Sequence, residues 1–223
     1  MCGRFALFSA LSQIEEAFDI QEVHCELQPS YNVAPTQEVA VVVRREGGNS
    51  LEQMRWGLIP FWAKDPKIGS RMINARVETL GEKNSFKRPL KSRRCLIVAD
   101  GFYEWAQTGE GKVPMFIRPQ SHRPFGFAGL YEVWTPPAGE TVISCTIVTT
   151  RANDFLESIH SRMPLILHKS QQAAWLDPAT PDIEVWLSAL APYPGHDMEA
   201  YQVSRQVNSP QNNSIACIQP VNG

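Results

Sequence analysis

The sequence predicts an α+β fold: a curved, mainly antiparallel, barrel-like sheet with helices at its periphery. Three observations lead there. Short runs rich in β-branched and aromatic residues recur along the chain, at 39–45, 51–58, 95–99, 113–117, 125–131 and 142–149. The first two flank Glu46-Gly47-Gly48-Asn49, a hairpin signal. Strand and helix patterns do not alternate regularly, which argues against a doubly wound parallel sheet. The 223 residues suit one domain spanning 1–223.

The elements follow in order. Leu11, Ile14 and Phe18 have helical spacing, and Ser12-Gln13-Ile14-Glu15 fits a capping box, so a short helix is expected at 10–19. Residues 60–94 are rich in Pro, Gly, Lys and Arg and read as long loops with a short helical piece. Helices are expected at 170–175 and 182–190, and a last strand near 199–204. Pro136-Pro137-Ala138-Gly139 reads as a turn inside the domain.

Composition excludes several classes. The apolar fraction of 43% is that of a globular protein whose core needs no disulfide staples. The five cysteines, Cys2, Cys25, Cys95, Cys145 and Cys217, are odd in number and form no CxxC pair, and no signal peptide precedes them. Free thiols in a reducing, cytoplasmic compartment are expected, with the last four cysteines as small core or half-buried residues. Cys and His never cluster at ligand spacing, so no metal is expected. Glycine-rich phosphate-binding patterns are absent, so no nucleotide cofactor is expected either. No apolar run approaches a membrane span.

The net charge of −2 hides an asymmetry. Residues 55–94 hold eleven Lys and Arg against three Asp and Glu, a net of +8, leaving −10 for the rest of the chain. A basic block in an acidic protein points to a polyanion. Trp56, Phe61, Trp62 and Phe86 interleave with the cations, a mixture that suits single-stranded nucleic acid, where bases stack and phosphates pair.

Five polar positions stand out. Cys2 follows the initiator Met and precedes Gly3; once Met1 is removed, it would carry a free α-amine beside its thiol, a 1,2-aminothiol. Asn74 and Arg76 share one face if 73–78 is extended. Glu104 lies between Tyr103 and Trp105 just after an apolar run, where desolvation would raise its pKa and suit it to moving protons. His160 precedes Arg162 by two residues, ahead of Leu165-Ile166-Leu167. His24, His122, His168 and His196 lack such settings and read as surface residues. Each position alone also admits a plain structural reading.

The stretches MCGRFALF, YNVAPT (31–36), WGLIPFWAKD (56–65), INARVETL (73–80), RCLIVADGFYEW (94–105), FAGLYEVW (127–134), IHSRMPLIL (159–167) and VSRQVNSPQNN (203–213) together resemble the SOS-response-associated peptidase family over nearly the whole chain. The resemblance implies shielding of abasic sites in single-stranded DNA through a covalent crosslink, without metal or cofactor. It implies Cys2 as nucleophile, Asn74 orienting the amine or sugar, Glu104 as proton shuttle and His160 assisting protonation. Arg4, Arg76 and Arg162 would grip phosphates, while Pro35, Phe61 and Trp62 would splay the strand.

The chemistry is consistent with the residues. An α-amine has a pKa near 7.7–8.0, so a neutral fraction is available to attack the open aldehyde of an abasic sugar. The thiol of the same residue can then close a thiazolidine. The alternatives are a thiol peptidase using Cys2 and His160, acting even only on Met1, and a non-covalent single-strand binder. A monomer without membrane attachment and without a C-terminal docking tail is expected, in the compact form of bacterial members.

Overall fold

The computed structural model describes residues 2–109, 111–136 and 139–221. Of the expected 136–139 turn, Pro137 and Ala138 lie outside these residues. The architecture is α+β with a nearly closed barrel at its centre. Strands β4 (Glu38–Arg45), β5 (Gly48–Trp56), β7 (Arg94–Ala99), β10 (Phe125–Trp134) and β11 (Val142–Arg151) run in the order β11-β10-β7-β4-β5. A short parallel pairing of β11 with β5, Ser144 opposite Arg55 and Cys145 opposite Trp56, closes the ring. The other pairings in that ring are antiparallel.

A second sheet has the order β14-β9-β8-β1-β3, from β1 (Phe5–Leu7), β3 (Ser30–Val33), β8 (Gly101–Thr108), β9 (Gly111–Pro119) and β14 (Met198–Gln202). Alternation along the barrel strands separates two cores. Val39, Val41, Val43, Ile97, Phe127, Cys145 and Ile147 pack with Cys2, Phe5 and Phe102 of the second sheet. Ala40, Val42, Leu96, Val98, Ala128 and Val148 face the other way, onto Ile14 and Phe18 of α1 (Leu11–Phe18), Phe86 and Leu90 of α2 (Asn84–Ser92) and Trp175 of α4 (Lys169–Leu176). Both faces are buried, which is why these strands read as continuous apolar runs.

Several boundaries differ from expectation. Helix α1 begins after Ala10, whose amide donates to the Gln13 side chain at 3.0 Å, so the cap lies two residues before Ser12. The 182–190 helix is shorter, as α5 (Ile183–Ser188). β1, β3 and β8 are too short or too polar on one side to show as runs. Glu104 accordingly lies inside a strand rather than after one.

Two parts of the basic block are structural. Arg94 is buried, and its guanidinium donates to the carbonyls of Leu90, Lys91, Trp175 and Asp177, caps for the ends of α2 and α4. Arg93 pairs with the buried Glu132. The remainder of the block leaves the barrel at Gly57, where the chain folds back on itself. Gly57 has φ +128°, and a Cβ there would meet the Gly69 carbonyl oxygen at 2.7 Å. Its amide donates to Cys145 O (2.8 Å), and Leu58 N to Met72 O (3.1 Å).

Gly57→Ala is therefore expected to cost about 1–3 kcal/mol of stability, from a disfavoured φ and a backbone collision. Gly109→Ala, with nothing within 4 Å of its Cβ, should change stability by less than about 0.5 kcal/mol. Thermal unfolding of the two variants checks the contrast, and equal melting temperatures would refute it.

Candidate active site

The site is built on the first residues of the chain. β1 is held between β8 and β3, with Phe5 opposite Phe102 on one side and Val33 on the other. The Phe5 ring packs 5.1 Å from Trp56 and 5.9 Å from Phe127. These contacts draw Cys2 into the core, where it is 0% exposed. Its Sγ lies 3.8 Å from Arg4 O. Burial pushes the thiol pKa well up, and the Glu104 carboxyl adds to the rise.

Asn74 lies on β6 (Asn74–Arg76), parallel to β11 and opposite Ile147. Its Nδ2 donates to Cys2 O at 2.8 Å. Its Oδ1 is buried and has no hydrogen-bond partner among the described residues, leaving one acceptor for a ligand beside Cys2. Ala75 between them points into the helix-side core, so Asn74 and Arg76 share a face, as expected.

Glu104 is two residues beyond Phe102 on β8, hence on the same inward face, and is 4% exposed. Desolvation raises its pKa above the ordinary 4.5, while the His160 imidazole pulls it back. The electrostatic links from Cys2 to Glu104 and from Glu104 to His160 bring three sequence-distant residues into one neighbourhood. Asn153 caps the short helix α3 (Asp154–Glu157) through Leu156 N (2.9 Å), and His160 N closes its end on Leu156 O. His160 Nδ1 lies 3.0 Å from the Arg162 amide nitrogen and 3.1 Å from its carbonyl oxygen. The amide donates to a neutral ring protonated on Nε2; the carbonyl accepts from a ring protonated on Nδ1 as well. One peptide segment thus serves both protonation states.

The three arginines separate. Arg4 was expected on a phosphate, but it precedes Phe5 by one residue and turns to the opposite face. It is 9% exposed, with NH1 donating to Asn32 Oδ1 and Val207 O, both at 2.6 Å. It clamps the C-terminal segment rather than presenting an open guanidinium. Arg162 forks onto Glu78 at 2.9 and 3.0 Å and donates to Thr149 O at 2.7 Å, so its free donors are few. Arg76 is exposed and makes no ion pair among the described residues. The turn carrying Pro35 sits on the end of β5 through Thr36 N to Trp56 O (2.8 Å), and the Phe61–Trp62 loop leaves from that same end. Phe61 and Trp62 are each 49% exposed. Trp62 borders a groove of about 600 Å³ with Lys64, Lys67 and Arg71.

Asn32, Glu78 and Thr149 were not singled out from sequence, although they hold Arg4 and Arg162. A signal existed for Glu78: it is one of three acids in a strongly basic block. Among the described residues no group of three or more His, Cys, Asp or Glu could hold a metal, and no helix is long and apolar enough to cross a membrane.

The burial of Glu104 has a pH signature. Its folded pKa is raised, so the fold binds its proton more tightly than the unfolded chain does. That stability is complete below about 4.5 and is lost as pH rises through the folded value. Glu104→Gln should therefore gain melting temperature relative to wild type on going from pH about 4 to pH about 8. A difference independent of pH would show that Glu104 titrates normally.

Comparison with known proteins matches this arrangement to a family. The profile of the family described as SOS response associated peptidase (SRAP) matches residues 1–210. A Bacillus subtilis protein named abasic site processing protein YoqW is 51% identical over 222 residues, covering 98% of this chain and 99% of that protein. The chicken abasic site processing protein HMCES is 33% identical over 264 residues, covering 99% and 78%. The crystal structure of a Bacteroides thetaiotaomicron protein superposes with a TM-score of 0.88 at 26% identity, covering 99% of this chain and all of that one. With Cys2 buried, Asn74 on its carbonyl, and Glu104 between it and His160 in their electrostatic links, the chain belongs to the SOS response associated peptidase family.

Proposed function

We propose that this protein, as one domain over its whole length, processes abasic sites in single-stranded DNA by bonding covalently to them through Cys2 once Met1 has been removed. The carrying observation is the grouping at Cys2: a buried residue, its carbonyl held by Asn74, near a carboxyl whose pKa burial raises and which in turn feels the His160 imidazole. The names of its relatives, abasic site processing proteins, support the substrate.

The chemistry runs amine first. As the hemiacetal opens, the bond from C1 to the ring oxygen breaks, the Glu104 carboxyl donates a proton to that oxygen, and the anomeric hydroxyl gives up its own proton to water as it becomes the aldehyde carbonyl. The neutral α-amine of Cys2 adds to that carbonyl carbon, and loss of water leaves a Schiff base. The thiol then adds across the C=N bond, sulfur to carbon and its proton to nitrogen, closing the thiazolidine. Holding both nucleophiles on one residue makes closure intramolecular, where effective molarities can reach about 10⁵ M or more. Asn74 orients Cys2, and its unpartnered Oδ1 accepts from the amine or a sugar hydroxyl. His160, its Nδ1 held on the Arg162 backbone, exchanges protons with the sugar. Arg76 supplies an open guanidinium to a flanking phosphate, while Arg162 and Arg4 stay engaged with Glu78 and with Asn32 and Val207. Pro35, Phe61 and Trp62 offer an apolar surface to unstacked bases. The same Schiff base would permit β-elimination and thus a lyase side reaction.

The state of the thiol disfavours the peptidase reading. A thiol protease needs a thiolate, stabilised by a cation or a helix end. Here burial and the Glu104 carboxyl both push the Cys2 thiol the other way. An amine-led mechanism does not need that thiolate.

Intact-mass measurement after incubation with an abasic single-stranded oligonucleotide tests the proposal. An adduct is expected from the processed chain, and none from Cys2→Ala or from a chain with one residue added before Cys2. Glu104→Gln should slow adduct formation by about 10²-fold or more, the usual share of a general acid. Adduct formation that survives an added N-terminal residue would overturn the proposal. For non-covalent binding, Arg76→Gln should make the log–log salt dependence shallower by about 0.7, one phosphate's share on a single strand. An unchanged slope would remove Arg76 from the interface.

A further inference from the structure

The exposed face of α2 carries a charge pattern that the fold does not use. Phe86, Pro89 and Leu90 turn inward. Lys87, Arg88 and Lys91 are exposed, as is Lys83 just before the helix, and the helix contains no acid. None of the four makes an ion pair among the described residues. Lys83, Lys87 and Lys91 follow one another at four-residue intervals, so like charges stand one above the other along the helix. Such like-charge pairs weaken a helix, and Pro89 inside α2 weakens it again. By contrast, Arg93 is paired with Glu132, and the buried Arg94 spends its donors on backbone carbonyls. The uncompensated cations are therefore confined to the outer face.

That face is joined to the exposed aromatic loop. The Arg88 guanidinium carbon lies 4.7 Å from the centre of the half-exposed Phe61 ring. Arg88 also lies close enough to Arg93 to depress its pKa after burial has done so. Phe61 thus marks the point where a strand stacked on the aromatic loop would meet α2, and the cation over its ring anchors that junction.

We infer that the outer face of α2, with Arg88 as its first contact, is a track for the phosphate backbone of the DNA strand leaving the lesion past Phe61. The inference rests on the single-strand reading above, and the ligand is fixed by charge complementarity: a polyanion against cations in a chain that is otherwise −10. Abasic chemistry at Cys2 does not need this face. It contributes to holding a long strand, so its effect must depend on the length of DNA on one side of the lesion.

The test is Lys87→Gln with Arg88→Gln and Lys91→Gln, all at exposed positions, and Arg88→Gln alone as a milder variant. Binding to undamaged single-stranded oligonucleotides of increasing length is measured against salt concentration. For long strands the triple variant should show a log–log slope about 2 shallower than wild type, three phosphates' share, and Arg88→Gln a slope about 0.7 shallower. Both variants should form the Cys2 adduct with an abasic oligonucleotide only a few nucleotides long at the wild-type rate. With longer abasic strands at moderate salt, adduct formation should slow when the added nucleotides lie on one side of the lesion and not on the other. Unchanged slopes with long strands overturn the track, whatever happens at Cys2. A loss equal for short and long strands also overturns it, by placing these residues in the site itself. Absence of any adduct from wild type on the short oligonucleotide would count against the crosslinking reading and leave the slope test standing.

Discussion

The site depends on burying the beginning of the chain. Chain ends usually fray, because ordering them costs conformational entropy and gains little burial. Here the cost is offset within a few residues. Phe5 fills the space between Trp56 and Phe127, β1 is zipped to strands on both sides, and Asn74 and Arg4 tie the flanking backbone and side chain to distant segments. Cys2 is thus held in place by the fold itself, which would reduce ordering costs at the moment of the proposed reaction.

The same burial acts on both acids of the site. It raises the Cys2 thiol and the Glu104 carboxyl together, and each negative charge would further oppose the other. A protonated carboxyl is a useful proton donor to a sugar oxygen, whereas a protonated thiol is a poor opening nucleophile. One environment is therefore suited to the proposed order, acid-assisted amine attack with sulfur entering last. His160 adds a group whose two protonation states are both hydrogen-bonded to the backbone of Arg162.

Charge is divided between frame and surface. Arg4, Arg93, Arg94 and Arg162 resemble DNA-binding residues in a sequence, yet each is occupied by carbonyls or by a carboxylate. They join the C-terminal segment to β1, α2 to the barrel and β12 (Arg162–Pro164) to the loop after β6. Arg76, the groove residues Lys64, Lys67 and Arg71, and the outer face of α2 carry cations that remain open to solvent. The excess of the 55–94 block is real, but only part of it can meet a phosphate.

The sequence by itself determined the class of fold, the long barrel strands and the candidate reactive residues. Those features are local: β-branched runs declare strands because both their faces are buried, and a Cys behind the initiator Met is visible wherever it lies. Short strands such as β1, β3 and β6 were not legible, because three or four residues carry too little periodicity and are defined by their partners. The roles of the arginines were not legible either. Whether a guanidinium serves a phosphate or a carbonyl depends on what stands opposite it, and Asn32, Val207 and Glu78 reach Arg4 and Arg162 from far along the chain. Tertiary structure alone decided that Cys2 is buried rather than frayed, that Asn74 holds its carbonyl, and that Glu104 stands near both Cys2 and His160. Burial and long-range hydrogen bonding are properties of the closed barrel, and no single stretch of sequence holds them.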